Sequence, residues 1–341
     1  MHDVIIVGAG PIGLYAARLI KSFGLNVVVL EEHEVIGKPV QCSGLVSTAL
    51  NLFMDVKESF VEHTVNGCIL HGPFRTKILM KKKGVVAYVI DRERFDRYLS
   101  KGIDVRLGTK VEDIFVEDTV KVETNKGIFE SKLLLGCDGP CSVVGKSLGS
   151  QPKEILTGIT ALVNEKNKSP WVRIWIDKSV APEGFLWMIP RGKKTEYGMW
   201  SKKPRFKDLE NFFDLRDYQP GGGPIPLGPR KTFFERVLLV GDAAAQVKPW
   251  SGGGIVYGLL CARIAAKTVK MAFDYNNFSE TFLKRYEDSW KGILGVRIQA
   301  GMLLRKVFKG LENPQIELVL SFAKIFQPIL NRLDMDFLIR V

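Results

Sequence analysis

The sequence is poor in the residues that build disulfide frameworks and metal sites. Its 341 residues include five cysteines and four histidines. The cysteines are Cys42, Cys68, Cys137, Cys141 and Cys261. No two of them have the C-x-x-C spacing that is typical of zinc-binding or redox-active pairs. We therefore expect reduced thiols, no disulfide framework and no metal centre.

The sequence also lacks an uncharged apolar run of the length that crosses a bilayer, which is about 20 residues. Its two longest helical apolar stretches, 255–273 and 316–341, are interrupted by lysine and arginine, and the second also by proline. A β-like apolar run begins at Asp3, so we expect no secretory leader and a cytoplasmic protein. For 316–341 two alternatives stay open, a helix that lies on the inner face of the membrane and a docked core helix.

Neither a repeat of fixed period nor a low-complexity segment is present. With 46% hydrophobic and 25% charged residues, the composition is that of a globular protein with a substantial core. The formal net charge of +12 fits an anionic partner such as a phosphate or a lipid headgroup surface. A basic surface without such a partner is the alternative, and we expect no nucleic acid partner.

Hydrophobic periodicity predicts a parallel α/β domain that is assembled from separated parts of the chain. The sequence opens with a strand at 4–7, a glycine turn, a helix at 12–23 and a second strand at 27–30. Two later apolar runs, 133–135 and 237–240, also end in glycine and aspartate. This pattern is typical of a Rossmann-type fold.

A β-rich part interrupts this domain. Residues 155–200 alternate between apolar and polar, as antiparallel strands do, most clearly at 171–176. A loop rich in glycine and proline is predicted at 220–229, and helices are predicted from Ser279 onward. The predicted division is a dinucleotide-binding domain at 1–55, 91–150 and 230–275, a β-rich substrate domain at 56–90 and 151–229, and a helical C-terminal region at 276–341.

A dinucleotide-binding motif follows the first strand. Gly8, Gly10 and Gly13 form G-x-G-x-x-G at the start of the first helix, and Glu31 ends the second strand. The glycines permit a tight turn, a close approach of pyrophosphate and close packing of helix and strand. The helix N-terminus favours phosphate, and Glu31 can accept both ribose hydroxyls. Because an acid here disfavours a 2′-phosphate, the motif predicts FAD or NAD.

Two later motifs favour FAD. Asp138-Gly139 and Gly241-Asp242 each follow a buried apolar run, so each acid is expected at the carboxyl end of a strand, where α/β sheets bind ligands. Such acids can accept hydrogen bonds from the ribityl chain of a flavin. The alternative, which applies chiefly to Asp138, is that the acid caps a local backbone turn.

With these motifs the chain resembles, up to about residue 270, the FAD-containing superfamily of aromatic hydroxylases, flavin halogenases and geranylgeranyl reductases. The resemblance implies a glutathione-reductase-like or aromatic-hydroxylase-like FAD domain, an inserted antiparallel β-rich substrate domain and a helical C-terminus. It implies that Asp242 binds the ribityl chain and that Asp138 and Gly139 lie near the pyrophosphate. It also implies that Arg92 contacts FAD; a merely charged helix is the alternative for Arg92.

Within that superfamily the sequence is most similar to the geranylgeranyl reductases. Residues 248–254 match their Lys-Pro-x-Ser-Gly-Gly-Gly pattern, whereas the His and Asn of aromatic hydroxylases are replaced by Ala245 and Val256. Glycines at a helix start allow the backbone to approach a flat ring, and the helix dipole stabilises negative charge on reduced flavin. Residues 36–44 resemble the reductases' loop that carries a cysteine, here Cys42, beside the flavin.

Residues 182–190 resemble the reductases' substrate motif, P-x-x-Y-x-W-x-F-P. Phe185 stands where that motif has tyrosine, and Ile189 replaces its second aromatic residue. The segment also approximates the W-x-W-x-I-P of flavin halogenases. A flavin-dependent monooxygenase or halogenase is therefore the alternative to a reductase.

The reductase resemblance implies reduction of isoprenoid double bonds, first among them the geranylgeranyl chains of archaeal-type ether lipid precursors, by hydride from flavin N5 plus a proton. An unperturbed thiol is protonated at neutral pH, so Cys42 is the first candidate for the proton donor and Tyr257 the second. The rings of Trp187 and Phe185 can stabilise developing positive charge. The alternative to the acid role is that Cys42 is a small buried apolar residue. The alternative for the two rings is that they serve packing alone.

The expected partners follow from the same resemblance. They are a prenyl lipid or prenyl phosphate and, because the sequence has no second dinucleotide fingerprint, a reductant such as ferredoxin or a diffusible donor. The residues expected to contact FAD are Gly8, Gly10, Pro11, Ile12, Gly13, Glu31, Glu32, Cys42, Ser43, Gly44, Arg92, Asp138, Gly139, Gly241, Asp242, Pro249, Gly252, Gly253, Gly254 and Ile255.

Overall fold

The computed structural model describes residues 1–331 and 336 of the chain. The rest of the predicted apolar segment 316–341 lies outside the described residues. The strands are β1 (His2–Val7), β2 (Val27–Leu30), β3 (Leu45–Ser47), β4 (Val61–Val65), β5 (Gly67–His71), β6 (Lys77–Lys81), β7 (Ala87–Ile90), β8 (Asp104–Arg106), β9 (Val111–Val116), β10 (Val120–Thr124), β11 (Gly127–Gly136), β12 (Glu154–Val163), β13 (Trp171–Trp175), β14 (Phe185–Pro190), β15 (Thr195–Ser201), β16 (Gln219–Leu227), β17 (Phe233–Phe234) and β18 (Val237–Leu239). The α-helices are α1 (Pro11–Ser22), α2 (Arg92–Ser100), α3 (Val143–Ser147), α4 (Phe206–Phe213), α5 (Ile255–Asp274), α6 (Glu280–Trp290), α7 (Val296–Lys309), α8 (Asn313–Ile325) and α9 (Gln327–Leu330).

The chain divides into two compact units, each assembled from three segments. The first unit comprises Met1–Pro39, Glu93–Ile155 and Pro226–Met302. The second comprises Val40–Arg92, Leu156–Ile225 and the described residues from Leu303 onward. Residues 40–55 thus fall in the second unit and residues 276–302 in the first. The three-part division at the boundaries given above stays a prediction.

The first unit is built on a mostly parallel sheet, as the hydrophobic periodicity of the sequence predicted. Its strand order is β17-β18-β11-β1-β2-β8, and the antiparallel strands β9 and β10 extend it from β11. β1 pairs in parallel with β2 and with β11, and β11 pairs in parallel with β18. β1 and β2 are nearly continuous runs of buried valine, isoleucine and leucine, since strands of parallel sheets are covered on both faces.

Helices α1 and α5 pack closely against each other in this unit. α1 begins with Pro11, which needs no amide partner in the first turn of a helix. The side chain of Ile12 on α1 lies against Gly258 on α5, where an added Cβ would be 2.5 Å from its terminal methyl. Small residues at this crossing therefore set the distance between the two helices.

The second unit is built on antiparallel sheets. The larger has the order β16-β12-β15-β14-β13-β5-β6, in which only β13 and β5 run parallel among the pairings described, and the smaller has the order β3-β7-β4. The antiparallel strands predicted between 155 and 200 are present as β12 to β15. Leu186 on β14 and Met199 on β15 are level in the pairing of the two strands, and they share a buried cluster with Ile159 and Ala161 on β12.

The prediction of a loop at 220–229 is wrong, because most of these residues form strand β16. This strand lies at the end of the sheet, where proline is tolerated since one side of the strand needs no ladder hydrogen bonds. A Cβ atom at Gly222 would clash with the backbone oxygen of Gly158 on β12. The glycines and prolines that suggested a loop therefore allow an edge strand to approach its neighbour.

Among residues 1–331, no helix combines the length and the apolar content that crossing a membrane requires.

Candidate functional site

The glycine turn after β1 is as tight as its motif predicts. Gly8 has a φ of +99°, and a Cβ atom there would lie 2.5 Å from the carbonyl oxygen of Cys137. A Cβ atom at Gly13 would clash with the carbonyl oxygen of Gly8. Gly10, the N-cap of α1, differs from both, because a Cβ atom there would meet no described atom within 4 Å. Gly8 and Gly13 therefore serve the turn itself, while Gly10 leaves the helix N-terminus open.

The three predicted cofactor motifs of this unit begin at the carboxyl ends of three neighbouring strands, β1, β11 and β18. Val7 is level with Gly136 in the pairing of β1 with β11, and Gly136 is level with Leu239 in the pairing of β11 with β18. The amide of Cys137 donates to the carbonyl of Val7 at 2.8 Å, and that of Val240 donates to Gly136 at 2.9 Å. Parallel pairing therefore brings the loops after β1, β11 and β18 next to each other.

Glu31, directly after β2, is held against the glycine turn. Its Oε2 accepts a hydrogen bond from the amide of Ala9 at 2.8 Å. Its Oε1 lies 3.0 Å from the amide and 2.6 Å from Nδ1 of His33, a contact that the sequence did not signal. A carboxylate has about four acceptor positions and these contacts use three, so Glu31 keeps one for a ribose hydroxyl. The neighbouring Glu32 is exposed.

Asp138 acts as a local cap, in agreement with the alternative given for it. Its carboxylate accepts from the hydroxyl of Ser142 at 2.6 Å and from the amide of Val144 at 3.0 Å, at the start of α3. Burial raises the pKa of Asp138, and these two hydrogen bonds oppose that rise. Its direct contact with FAD stays a prediction. Gly139, with a φ of +76°, has open space where a Cβ would stand.

The turn after β18 packs against the glycine turn and against α5. Gly241 has a φ of +71°, and a Cβ there would press on the side chain of Ile12. The carboxylate of Asp242 lies beside the N-terminus of α5, where a Cβ at Gly254 would be 2.6 Å from Oδ1. The buried side chain of Gln246, which the sequence analysis missed, accepts from the amide of Gly241 at 2.8 Å.

The loop before α5 closes around one of its own residues, Lys248. The amide of Gly252 donates to the carbonyl of Lys248 at 2.8 Å, and the amide of Lys248 donates to Gly253 at 3.1 Å. The Lys248 side chain is almost wholly buried, and a Cβ at Gly253 would lie 2.7 Å from its Cε. Gly253 and Gly254 thus have internal packing roles besides the predicted approach to a ring. Pro249 is buried, and Ile255 begins α5.

The cysteine loop belongs to the second unit and is fixed to the end of β7. Cys42 is half-buried, and its Sγ accepts a weak hydrogen bond from the amide of Gly44 at 3.4 Å. Gly44 has a φ of +68°, accepts from the amide of Ile90 at 2.9 Å, and has no room for a Cβ beside the Ile90 carbonyl. Arg92, also half-buried, begins α2. Tyr257 is fully buried within α5 of the first unit.

The aromatic motif of the second unit forms a packed cluster on β14. The rings of Phe185 and Trp187 meet edge to face with centroids 6.0 Å apart, and Phe185 meets Trp200 in the same way at 5.4 Å. A Cβ at Gly198 on β15 would clash with the Trp187 indole, which therefore lies directly on the backbone. The indole Nε1 donates to the buried carboxylate of Glu196 at 3.2 Å, a partner that the sequence analysis missed.

Comparison with known proteins agrees with these observations. A family model described as an FAD binding domain matches residues 1–211. The digeranylgeranylglycerophospholipid reductase 2 of Methanococcoides burtonii is 30% identical over 90% of this chain and 84% of its own. The chain belongs to this FAD-binding family.

Solved structures confirm the fold. A geranylgeranyl bacteriochlorophyll reductase-like protein from Thermoplasma acidophilum superposes with a TM-score of 0.87, at 23% identity, over 99% of this chain and 93% of its own. A point mutant of the halogenase PltM in complex with FAD superposes with a TM-score of 0.71, at 15% identity, over 98% of this chain and 87% of its own. The family model and the relative confirm the predicted family resemblance and FAD cofactor, and the solved structures confirm the fold class.

The first unit of this FAD-binding protein fits its cofactor. The open backbone at Gly10 and the amides of the first turn of α1 suit a pyrophosphate, which the helix N-terminus stabilises. Glu31 is held directly after β2 with one acceptor position left for a ribose hydroxyl. The individual FAD contacts given in the sequence analysis stay predictions.

Gly10→Ala provides a direct test, because its φ of −72° suits alanine and the added methyl meets no protein atom. We expect the unfolding temperature without FAD to be unchanged and the Kd for FAD to rise at least about tenfold, about 1.4 kcal/mol. Fluorescence titration of the deflavinated protein measures this. Gly84→Ala, also in open space, is the matched control. An unchanged Kd in Gly10→Ala would place the pyrophosphate elsewhere.

Proposed function

We propose that this protein is an FAD-dependent reductase of isoprenoid double bonds, which acts on the geranylgeranyl chains of archaeal-type ether lipid precursors. The observation that carries the proposal is the 30% identity, over nine tenths of the chain, to a digeranylgeranylglycerophospholipid reductase. The aromatic cluster of Phe185, Trp187 and Trp200 on the antiparallel sheet supports it, since it supplies apolar and π surfaces for a prenyl chain.

The chemistry divides between the cofactor and the chain. Reduced FAD, when bound, supplies a hydride from N5. Addition of hydride and proton across an isolated double bond also needs an acid and an environment that tolerates positive charge on carbon. The ring faces of Trp187 and Phe185 stabilise such charge, each by about 2 kcal/mol or more where water is excluded. In this proposal the protein supplies the acid and the aromatic surface.

The proton donor in this proposal is the thiol of Cys42, acting directly or through a water that it holds. The half-buried thiol accepts a long hydrogen bond from the amide of Gly44, at 3.4 Å. A protonated thiol keeps its S–H as a donor while its sulfur accepts. Tyr257 is the weaker candidate because it is fully buried within α5.

The electron donor in this proposal is ferredoxin or a diffusible reductant. This proposal assigns the single dinucleotide fingerprint of the sequence, at Gly8 to Gly13, to FAD. The absence of a second fingerprint from the sequence supports an external carrier of electrons.

Peripheral contact with the inner face of the membrane is also part of the proposal. On α8, Ile316 and Leu320 pack into a core cluster with Ile78, while apolar residues also occupy the opposite side of the helix. α7 has a similar exposed apolar stripe. Six of these side chains are between 55% and 70% exposed: Leu303, Leu304, Val307, Leu318, Phe322 and Ile325.

Basic side chains accompany the two exposed stripes. Lys306 and Lys309 lie on α7 and Lys324 on α8, and all three are exposed. Apolar side chains flanked by lysines are typical of helices that lie in the interface of an anionic bilayer. The substrate class, a lipid, supports the same assignment.

The reaction is tested with FAD-loaded protein that is reduced with dithionite and mixed anaerobically with a geranylgeranyl phospholipid. We expect the absorbance of oxidised flavin to return and the lipid to gain two hydrogen atoms per reduced double bond. Absorbance at the flavin band and mass spectrometry of the lipid measure both. Flavin that stays reduced until oxygen is admitted would instead favour the monooxygenase or halogenase alternative.

The acid role of Cys42 is tested by Cys42→Ala. Loss of a general acid should lower the anaerobic turnover roughly 10²-fold to 10⁴-fold, with FAD content unchanged. Cys68→Ala is the matched control, because Cys68 is a half-buried cysteine of the same unit and burial raises its pKa to about 11. Full activity in Cys42→Ala would exclude the acid role.

The membrane surface is tested by flotation with vesicles of phosphatidylglycerol or of phosphatidylcholine. The protein should float with the anionic vesicles, and Leu304→Ser combined with Phe322→Ser should weaken binding at least about tenfold, since burial of each side chain contributes about 1.5–3 kcal/mol when complete. Ile128→Ser, which removes a 70% exposed side chain on β11, is the control. Equal flotation of all variants would show that this surface does not bind the membrane.

A further inference from the structure

We propose that Arg191 and Glu196 are positioning residues that hold Trp187 and the Cys42 loop in one fixed geometry. The inference rests on the proposed function, for which Trp187 and Cys42 are the aromatic and acidic groups. Neither residue belongs to the motifs from which the site was predicted. Both lie in the second unit, together with the residues to which their side chains are hydrogen-bonded below.

Glu196 orients the indole of Trp187. Its Oε1 accepts from the indole Nε1 at 3.2 Å, and its Oε2 accepts from Nη1 of Arg191 at 2.8 Å. Glu196 is 5% exposed, so bulk water competes little with either bond. Gly198 supports the flat side of the indole, where no Cβ would fit. The ring is thus held at one flat surface and at its polar edge.

Arg191 extends the same network to the cysteine loop. Its Nη1 donates to the carbonyl of Ser43 at 2.6 Å, and its Nη2 donates to the carbonyl of Ile90 at 3.3 Å. A second carboxylate, that of Glu62, lies 2.6 Å from Nη2. The Arg191 side chain is 10% exposed. One buried cation therefore joins the residue after Cys42 to the carboxylate that orients Trp187.

The planar guanidinium makes this connection specific. Arginine presents five N–H donors in a fixed fork, and here they serve two carboxylates and two carbonyls at once. A lysine has one nitrogen and cannot bridge the same four acceptors. Since Ser43 follows Cys42 directly, loss of the bond to the Ser43 carbonyl removes one anchor of the loop that carries the thiol and loosens it.

The first test needs no substrate and measures the alkylation rate of Cys42 by N-ethylmaleimide, followed by mass spectrometry of the labelled residue in the FAD-loaded protein. Arg191→Lys should raise this rate at least about threefold, because a loosened loop exposes the thiol more often. Arg205→Lys, at an arginine of the same unit that pairs with Asp208, is the control. An unchanged rate in Arg191→Lys would overturn the role of Arg191.

The second test is a double-mutant cycle on the anaerobic turnover. Glu196→Gln should lower kcat roughly tenfold with little change in KM. In a Trp187→Phe background, which has no indole N–H, Glu196→Gln should lower kcat less than about twofold. An equal loss in both backgrounds would show that Glu196 does not act through Trp187. FAD absorbance and thermal unfolding verify that each variant is folded.

The two tests separate the inference from the proposed function. If no variant or wild-type protein reduces the geranylgeranyl lipid while Arg191→Lys still accelerates labelling of Cys42, the proposed function fails and the role of Arg191 stands. If Arg191→Lys does not fold, Glu62→Gln removes one carboxylate from the guanidinium and should accelerate labelling in the same direction. Unchanged labelling in that folded variant would overturn the inference.

Discussion

Parallel pairing of β11 with β1 on one side and β18 on the other is the constraint on which the cofactor site depends. The pairs Val7–Gly136 and Gly136–Leu239 are level across the sheet, so three loops that are more than a hundred residues apart in sequence begin at one edge. No side chain is needed to bring these loops together. The backbone ladder does it, and the buried aliphatic residues of the strands stabilise the ladder.

Glycines then set how closely the loops approach each other. Gly8, Gly13 and Gly254 each lie where a Cβ atom would press on a neighbouring group of the protein. Gly10 alone of the motif's three glycines has open space in front of it among the described residues. The same motif therefore contains positions that hold the turn and one position that leaves room for a ligand. This difference is a matter of packing and cannot be seen in the spacing of the letters.

The second unit depends on a buried polar network rather than on glycines. Arg191 and Glu196 are both largely removed from water, which is costly for charges unless each finds its partners. Here the partners are two carboxylates, an indole N–H and two backbone carbonyls. Removing one member leaves its partners with an unmet hydrogen bond away from water, so the network favours one arrangement of Trp187 and the Cys42 loop.

Local sequence determined the βαβ opening, the Rossmann-type domain, the antiparallel β12 to β15 and the family, because periodicity and glycine spacing are local properties. The tertiary structure alone decided that 219–227 is an edge strand, since that depends on its neighbour β12. It alone showed that Arg191 reaches Ser43, 148 positions away in sequence. Such contacts arise from chain segments that meet only after folding, and a single sequence carries no period or spacing that records them.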